Sequence, residues 1–121
     1  ICKNASVEDN ASPILNTIYA GPAVFIALFA NAGMIITNSF HGTAFSINFG
    51  KEFYTITPAR KHNNSRQRSI LKLFDLQDRL IAENTPVENI SVKEFDYITT
   101  ARILEDERKK SIDFLTNAIE N

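Results

Sequence analysis

The sequence predicts an α/β fold: a Rossmann-like parallel sheet with helices on both faces, formed by all 121 residues as one domain. Three observations lead there. Short strand-like runs alternate with stretches of helical spacing, the order that builds a doubly wound sheet. One run, Met34-Ile35-Ile36-Thr37, is continuously apolar, the pattern of a parallel strand covered on both faces. Turn and cap residues separate the runs, at Gly21-Pro22, Gly33 and Gly50.

Taken in order, Ile14 to Tyr19 reads as a strand closed by Ala20-Gly21-Pro22, where proline suits the first turn of a helix. Phe25, Leu28, Phe29 and Ala32 follow at i, i+3, i+4 and i+7, one face of a helix that Gly33 is expected to cap. After the apolar strand comes a second helix, from about Phe40 to Phe49 and closed by Gly50. Glu52 to Ile56 is the next strand. A polar, basic loop from Thr57 to Ser65 feeds a helix from Arg66 to Phe74, with Ile70, Leu73 and Phe74 inward. Leu76 to Ile81 reads as a tight connection, and Glu83 to Asp96 shows no clear period. The tail, Ile98 to Ile119, carries Ala101, Leu104, Ile112, Leu115 and Ile119 on one stripe, with Glu105 to Lys110 facing water. That stripe is expected to pack back across the sheet. Phe40, Phe45, Phe49, Phe53 and Tyr54 read as core.

Composition narrows the function classes. With 13 Lys and Arg against 14 Asp and Glu, the net charge is −1. Binding nucleic acid through overall charge is therefore excluded, and any anion site must be local. Cys2, the single cysteine, has no internal partner, so the chain is no disulfide-stapled scaffold. Ala20 to Ile36, the longest apolar stretch, is broken by Pro22, Asn31 and Gly33 and falls short of a membrane span of about 20 residues. Because the chain opens at Ile1 with no initiator Met, it is expected to be a piece cut from a longer protein. Cys2, His41 and His62 have no recognisable metal-ligand spacing, and no metal is expected.

The chemistry concentrates at Thr37-Asn38-Ser39-Phe40-His41-Gly42-Thr43-Ala44-Phe45-Ser46, where a strand turns into a helix. In a parallel sheet every connection leaving the carboxyl end of a strand lies along one edge, so this turn and the basic loop ending at Arg66 share that edge. Asn38 or Ser39 can cap the helix, and Gly42 leaves the first-turn amides open to a ligand. Those amides and the helix dipole favour a phosphate or carboxylate. Arg60, Lys61, Arg66 and Arg68 supply positive charge, and a guanidinium matches an oxyanion bidentately. His41 can exchange a proton near neutral pH. Each residue also has an ordinary structural reading: caps for Asn38 and Ser39, relief of helix crowding against a strand for Gly42, a hydrogen-bonded structural residue for His41.

The same decapeptide, followed by Phe49-Gly50-Lys51-Glu52-Phe53, resembles the signature of the polysaccharide pyruvyl transferase family. Gly21-Pro22 leading into a helix that ends Asn31-Ala32-Gly33 resembles the segment before that signature. Asn64-Ser65-Arg66, Leu71 to Leu76 and Asp78-Arg79-Leu80 resemble the Arg-bearing, leucine-rich segment after it. The resemblance implies the carboxyl-terminal Rossmann-like half of a two-domain architecture called GT-B. It implies transfer of the pyruvyl group of phosphoenolpyruvate to a sugar of a cell-surface polysaccharide, forming a ketal, with phosphoenolpyruvate as donor and no cofactor. The acceptor would be a sugar or lipid-linked oligosaccharide, held largely by the missing amino-terminal domain. His41 is then the expected proton-transfer residue and Ser39, Gly42, Thr43 and Arg66 the donor clamp, with Asn38 either a further substrate-binding residue or one that only orders the turn. Lys51 and Arg60 are further possible clamp residues. Because phosphoenolpyruvate is cytosolic, a cytoplasmic location, at the inner face of the membrane for a lipid-linked acceptor, is expected. Two other classes fit the residues: a sugar-nucleotide glycosyltransferase using the same edge for a diphosphate, and a non-catalytic glycan-binding or assembly module.

Overall fold

A computed structural model describes residues 21–58, 64–90 and 93–120. The predicted strand at Ile14 to Tyr19 and the loop residues Arg60, Lys61 and His62 lie outside the described residues. In chain order the elements are α1 (Pro22–Asn31), β1 (Met34–Thr37), α2 (Phe40–Asn48), β2 (Glu52–Thr57), α3 (Ser65–Leu73), β3 (Leu80–Ala82) and α4 (Tyr97–Glu120), with single 3₁₀ turns at Gln77–Arg79 and Val87–Asn89. The strands form a parallel sheet in the order β1-β2-β3. Ile35 stands beside Phe53, Thr37 beside Thr55, and Thr57 beside Ala82. The fold is therefore the expected α/β, Rossmann-like one.

Right-handed crossovers between neighbouring parallel strands put α2 and α3 on the same face of the sheet. The burial agrees. Phe53, Thr55 and Thr57 are buried on that face of β2, while Glu52, Tyr54 and Ile56 between them are partly open. The core is Phe29, Ile35, Ile47, Phe53, Leu71, Phe74, Leu76 and Phe95. Strand β1 departs from the expected double cover: Met34 and Ile36 are 51% and 45% exposed.

Helix α1 behaves as its spacing predicts. Pro22 occupies the first turn, Phe29 is buried, and Phe25, Leu28 and Ala32 are partly buried beside it. The rings of Phe25, Phe29 and Phe45 meet with centroids 5.0 to 6.1 Å apart, joining α1 to α2. Gly33 does not form the expected left-handed cap. The helix ends one residue earlier, with Ala32 as its extended cap, its backbone N–H donating to the Phe29 carbonyl, and the Asn31 side-chain Nδ2 donating to the Ala27 carbonyl. Gly50 does take the left-handed conformation at φ 60°, and the amide of Lys51 closes the end of α2 on the Ser46 carbonyl at 2.9 Å. Asp75, at φ 56°, ends α3 the same way, with the Leu76 amide on the Leu71 carbonyl at 2.8 Å.

Three other expectations change. The inward stripe of α3 includes Leu71, which is buried, whereas Leu73 faces out at 50% exposure. The tight connection expected over Leu76 to Ile81 runs into β3, three residues long and too short for any period to show. The tail helix packs only through its first turns. Thr100 is buried and Ile103 and Leu104 rest on the core, but Ile112, Phe114 and Ile119 are 61%, 73% and 83% exposed. Length explains this. A helix of 24 residues runs about 36 Å, while strands of four to six residues cover only about 20 Å.

Asp96 caps α4. Its carboxylate accepts from the Thr99 amide at 2.9 Å and the Thr99 hydroxyl at 2.7 Å, and these bonds hold its pKa below the usual carboxylate value. Farther along, Glu105 pairs with Arg108 and Glu107 with Lys110, both at 2.7 Å and one turn apart. The Glu107 carboxylate raises the Lys110 pKa.

The opposite end of the sheet is held by a buried cation that the sequence reading treats as part of a connection. Arg79 is 1% exposed. It binds Glu52 at 3.1 Å and approaches Asp78 at 3.8 Å, donates to the Lys93 carbonyl, and lies 4.8 Å from the Tyr54 ring and 5.2 Å from the Phe95 ring. One guanidinium thus ties the start of β2, the turn before β3 and the approach to α4. Arg79→Ala is expected to cost about 2–3 kcal/mol in urea unfolding, below the range for a fully buried pair because Glu52 is 28% exposed. A loss under about 0.5 kcal/mol would remove Arg79 as a structural tie.

Candidate functional site at the amino end of α2

The turn from β1 into α2 is built by hydroxyls. The Thr37 hydroxyl oxygen accepts from the Ser39 amide at 3.2 Å, fixing the chain as it leaves the sheet. Ser39 is the helix cap, its side-chain oxygen accepting from the Gly42 amide at 2.8 Å. Of the two capping residues left open by the sequence, Asn38 is the one that stays exposed. Thr43 donates its hydroxyl proton to the Ser39 carbonyl at 3.0 Å. Since a hydroxyl has one proton, Thr55 must be the donor in the 2.7 Å contact between the Thr43 and Thr55 hydroxyls. Ser46 closes the set by donating to the Gly42 carbonyl at 2.7 Å.

Gly42 sits beneath this turn. A Cβ there would fall 2.2 Å from the Thr37 hydroxyl oxygen, 2.9 Å from the Thr37 Cβ and 3.1 Å from the Ser39 hydroxyl oxygen. The missing side chain therefore makes room for Thr37, the crowding-relief reading, and the Gly42 amide is engaged by Ser39 rather than open to a ligand. Thr43 is fully buried with its proton spent. Both residues were expected at the surface of the clamp, and both lie under it.

Above them, the first amides of α2, those of Phe40 and His41, precede any possible partner four residues back in the helix and point out of its amino end. His41 is exposed, its ring 5.7 Å edge-on from that of Phe40. Arg66, near the start of α3, places its guanidinium carbon 4.3 Å from the Phe40 ring centroid. The two connections do share the carboxyl edge of the sheet, and Arg66 arrives beside α2. A shallow groove lined by Phe40, Ser65, Arg66, Ser69, Ile70 and Leu73 opens at this point. Arg68 is turned elsewhere, its Nε donating to the Asn64 side chain at 2.8 Å.

Two sequence readings are corrected. Lys51 immediately precedes β2, which puts it at the amino end of the parallel sheet, the end opposite His41. Phe40 is no core residue: it is partly exposed and carries Arg66 and His41 on its ring. The signal that could have found it is its position, one residue after the cap, where a helix side chain lies beside the emerging amides. Among the described residues no His, Cys, Asp and Glu cluster could hold a metal ion, and no helix is long and apolar enough to cross a membrane.

Residues 6–60 match the family model of polysaccharide pyruvyl transferase. Over that span, which is less than half of the chain, the sequence is similar to this family. The pyruvyl transferase match takes in α1, β1, the whole turn with His41, α2 and β2, and it starts upstream of Gly21. Arg66 lies beyond its end. No curated protein and no solved structure shows significant similarity to the chain.

Because the Thr37 side chain fills the space under Gly42, Gly42→Ala should destabilise the fold by about 1–3 kcal/mol, the usual cost of overpacking. Thr37→Ala introduced with it should recover part of that loss, since the hydroxyl oxygen at 2.2 Å would be gone while the Cβ at 2.9 Å would remain. Additive costs in urea unfolding of the two single variants and the double would contradict direct packing between them.

Proposed function

We propose that this chain is the donor-binding half of a polysaccharide pyruvyl transferase that moves the pyruvyl group of phosphoenolpyruvate onto two hydroxyls of a sugar. One observation carries the reading. Arg66 and His41 both contact Phe40, the residue that opens α2 with its unpaired first-turn amides, with His41 inside the matched span and Arg66 beyond its end.

The reaction has definite needs. A proton adds to the terminal carbon of the enol, turning it into a methyl group and leaving a cationic centre at the carbon that bears phosphate. A sugar hydroxyl adds there and loses its proton, the carbon–oxygen bond to phosphate breaks, and a second hydroxyl closes the ring as it too is deprotonated. The products are the ketal and inorganic phosphate, with no change in oxidation state. In this scheme His41 moves a proton to the donor or from an acceptor hydroxyl. Arg66 and the Phe40 and His41 amides hold donor oxygens, since a planar fork and a helix amino end both favour anions. Asn38, Ser39, Gly42 and Thr43 form the turn that presents those amides. The acceptor, a sugar or lipid-linked oligosaccharide of an exopolysaccharide or similar glycan, is assigned mainly to a partner domain in a GT-B arrangement. The chain itself is the carboxyl-terminal half of that enzyme, inactive when isolated. A cytoplasmic site, at the inner membrane face for a lipid-linked acceptor, follows from the donor.

In the complete enzyme, His41→Ala and His41→Asn should lower turnover by about 10²–10⁴-fold while barely moving the melting temperature, because His41 is exposed. Wild-type turnover in both variants would remove it from proton transfer. Arg66→Lys, which keeps the charge but not the fork, should raise KM for phosphoenolpyruvate more than for the acceptor. Titration with phosphoenolpyruvate against nucleotide sugars separates this reading from a glycosyltransferase: preference for a nucleotide sugar would overturn it.

A further inference from the structure

The geometry points to Phe40 as a positioning residue for Arg66, an inference that rests on the anion-binding role proposed above. The two residues are far apart in the chain, one in the first turn of α2 and the other in the first turn of α3. Yet the guanidinium carbon stands 4.3 Å from the ring centroid. Arg66 is exposed, and an exposed arginine ordinarily spreads over many rotamers, an entropy that any ligand must overcome.

Two ways of fixing an arginine have opposite consequences for binding. A carboxylate partner takes up the in-plane N–H groups, the same donors that an oxyanion needs. An aromatic ring uses the π face of the guanidinium and leaves the fork free. The chain shows both solutions. Arg79 is fixed by Glu52, by the Lys93 carbonyl and by two rings, and it is buried and committed. For Arg66 the fixed contact is the Phe40 ring, and among the described residues no carboxylate bridges it.

Phe40 also supplies the first open amide of α2, and its ring meets that of His41 nearly perpendicularly, with centroids 5.7 Å apart. A single residue at the helix amino end therefore contacts both the guanidinium and the imidazole. A leucine would fill the same groove but offer no π face. A tyrosine would keep the face.

The test uses the chain as it stands, with phosphoenolpyruvate and inorganic phosphate as probes in calorimetric titration. Phe40→Leu should weaken both by roughly two- to fivefold, the range for an exposed cation–π contact. Phe40→Tyr should restore wild-type affinity, and in an Arg66→Ala background Phe40→Leu should change nothing further. Independently of any ligand, the Arg66 Nε–H resonance should move in Phe40→Leu and hold its position in Phe40→Tyr. An unmoved resonance, or an equal loss of affinity with and without Arg66, would overturn the positioning role. A wild-type chain that binds neither probe while the resonance still responds would overturn the proposed function and the positioning role with it, and would identify the Phe40 and Arg66 contact as a packing feature.

Discussion

How closely the first turn of α2 approaches the strand ends decides what the carboxyl edge of the sheet can do. The approach is made by subtraction and by hydroxyls. Gly42 has no Cβ where one would strike Thr37 at 2.2 Å, and Thr43 meets Thr55 across the interface at 2.7 Å. Threonines suit this position because their methyl groups pack like those of valine while their hydroxyls satisfy one another, so polar groups are buried without the usual cost. Among the described residues no buried side-chain polar atom lacks a partner. The helix is thereby held at both its backbone and its side chains, and its emerging amides sit at a fixed place beside His41. A looser junction would leave the same residues present and their geometry undefined.

The division of labour along the signature follows from this. Small residues facing down make the turn, and large or ionisable residues facing out meet solvent. Ser39, Gly42 and Thr43 belong to the first group, Phe40 and His41 to the second. Residue type alone misassigns members of both. Thr43 and Gly42 read as ligand-binding because hydroxyls and glycines are common at anion sites. Phe40 reads as core because phenylalanine is usually buried. Which way each points depends on the helix phase relative to the sheet. That phase is fixed by Gly42 packing on Thr37 and Thr43 bonding Thr55, and the second of these is a non-local fact that a local pattern does not contain.

Much of the rest was legible because its cause is local. The stripe of α1 matches its burial residue by residue, Gly50 closes α2, and the strand boundaries of β2 differ by one position. The parallel sheet followed from strand and helix alternation, whose handedness is nearly invariant. What escaped depended on partners distant in sequence or on size. Strand β3 exists because Thr55 and Thr57 offer it an edge, and its three residues show no pattern of their own. Arg79 is stabilised by groups 27 residues back and 14 residues ahead. The apolar residues of the distal part of α4 obey helical spacing faithfully, but the sheet ends before they do, so spacing identified the helix and overstated its packing.

A net charge of −1 seems at odds with an anion site, and the resolution lies in how charges are spent. On α4, acids and bases neutralise one another one turn apart, and at the sheet's amino end Arg79 is balanced by Glu52 and Asp78. Such pairs add little field beyond the Debye length of about 8 Å. Arg66 is held by an aromatic face instead, which restrains the cation without cancelling it. Its field therefore adds to that of the α2 amino end rather than being absorbed. Local arrangement, not net charge, determines whether this edge attracts an anion, and the aromatic ring at Phe40 lets one cation be both ordered and available.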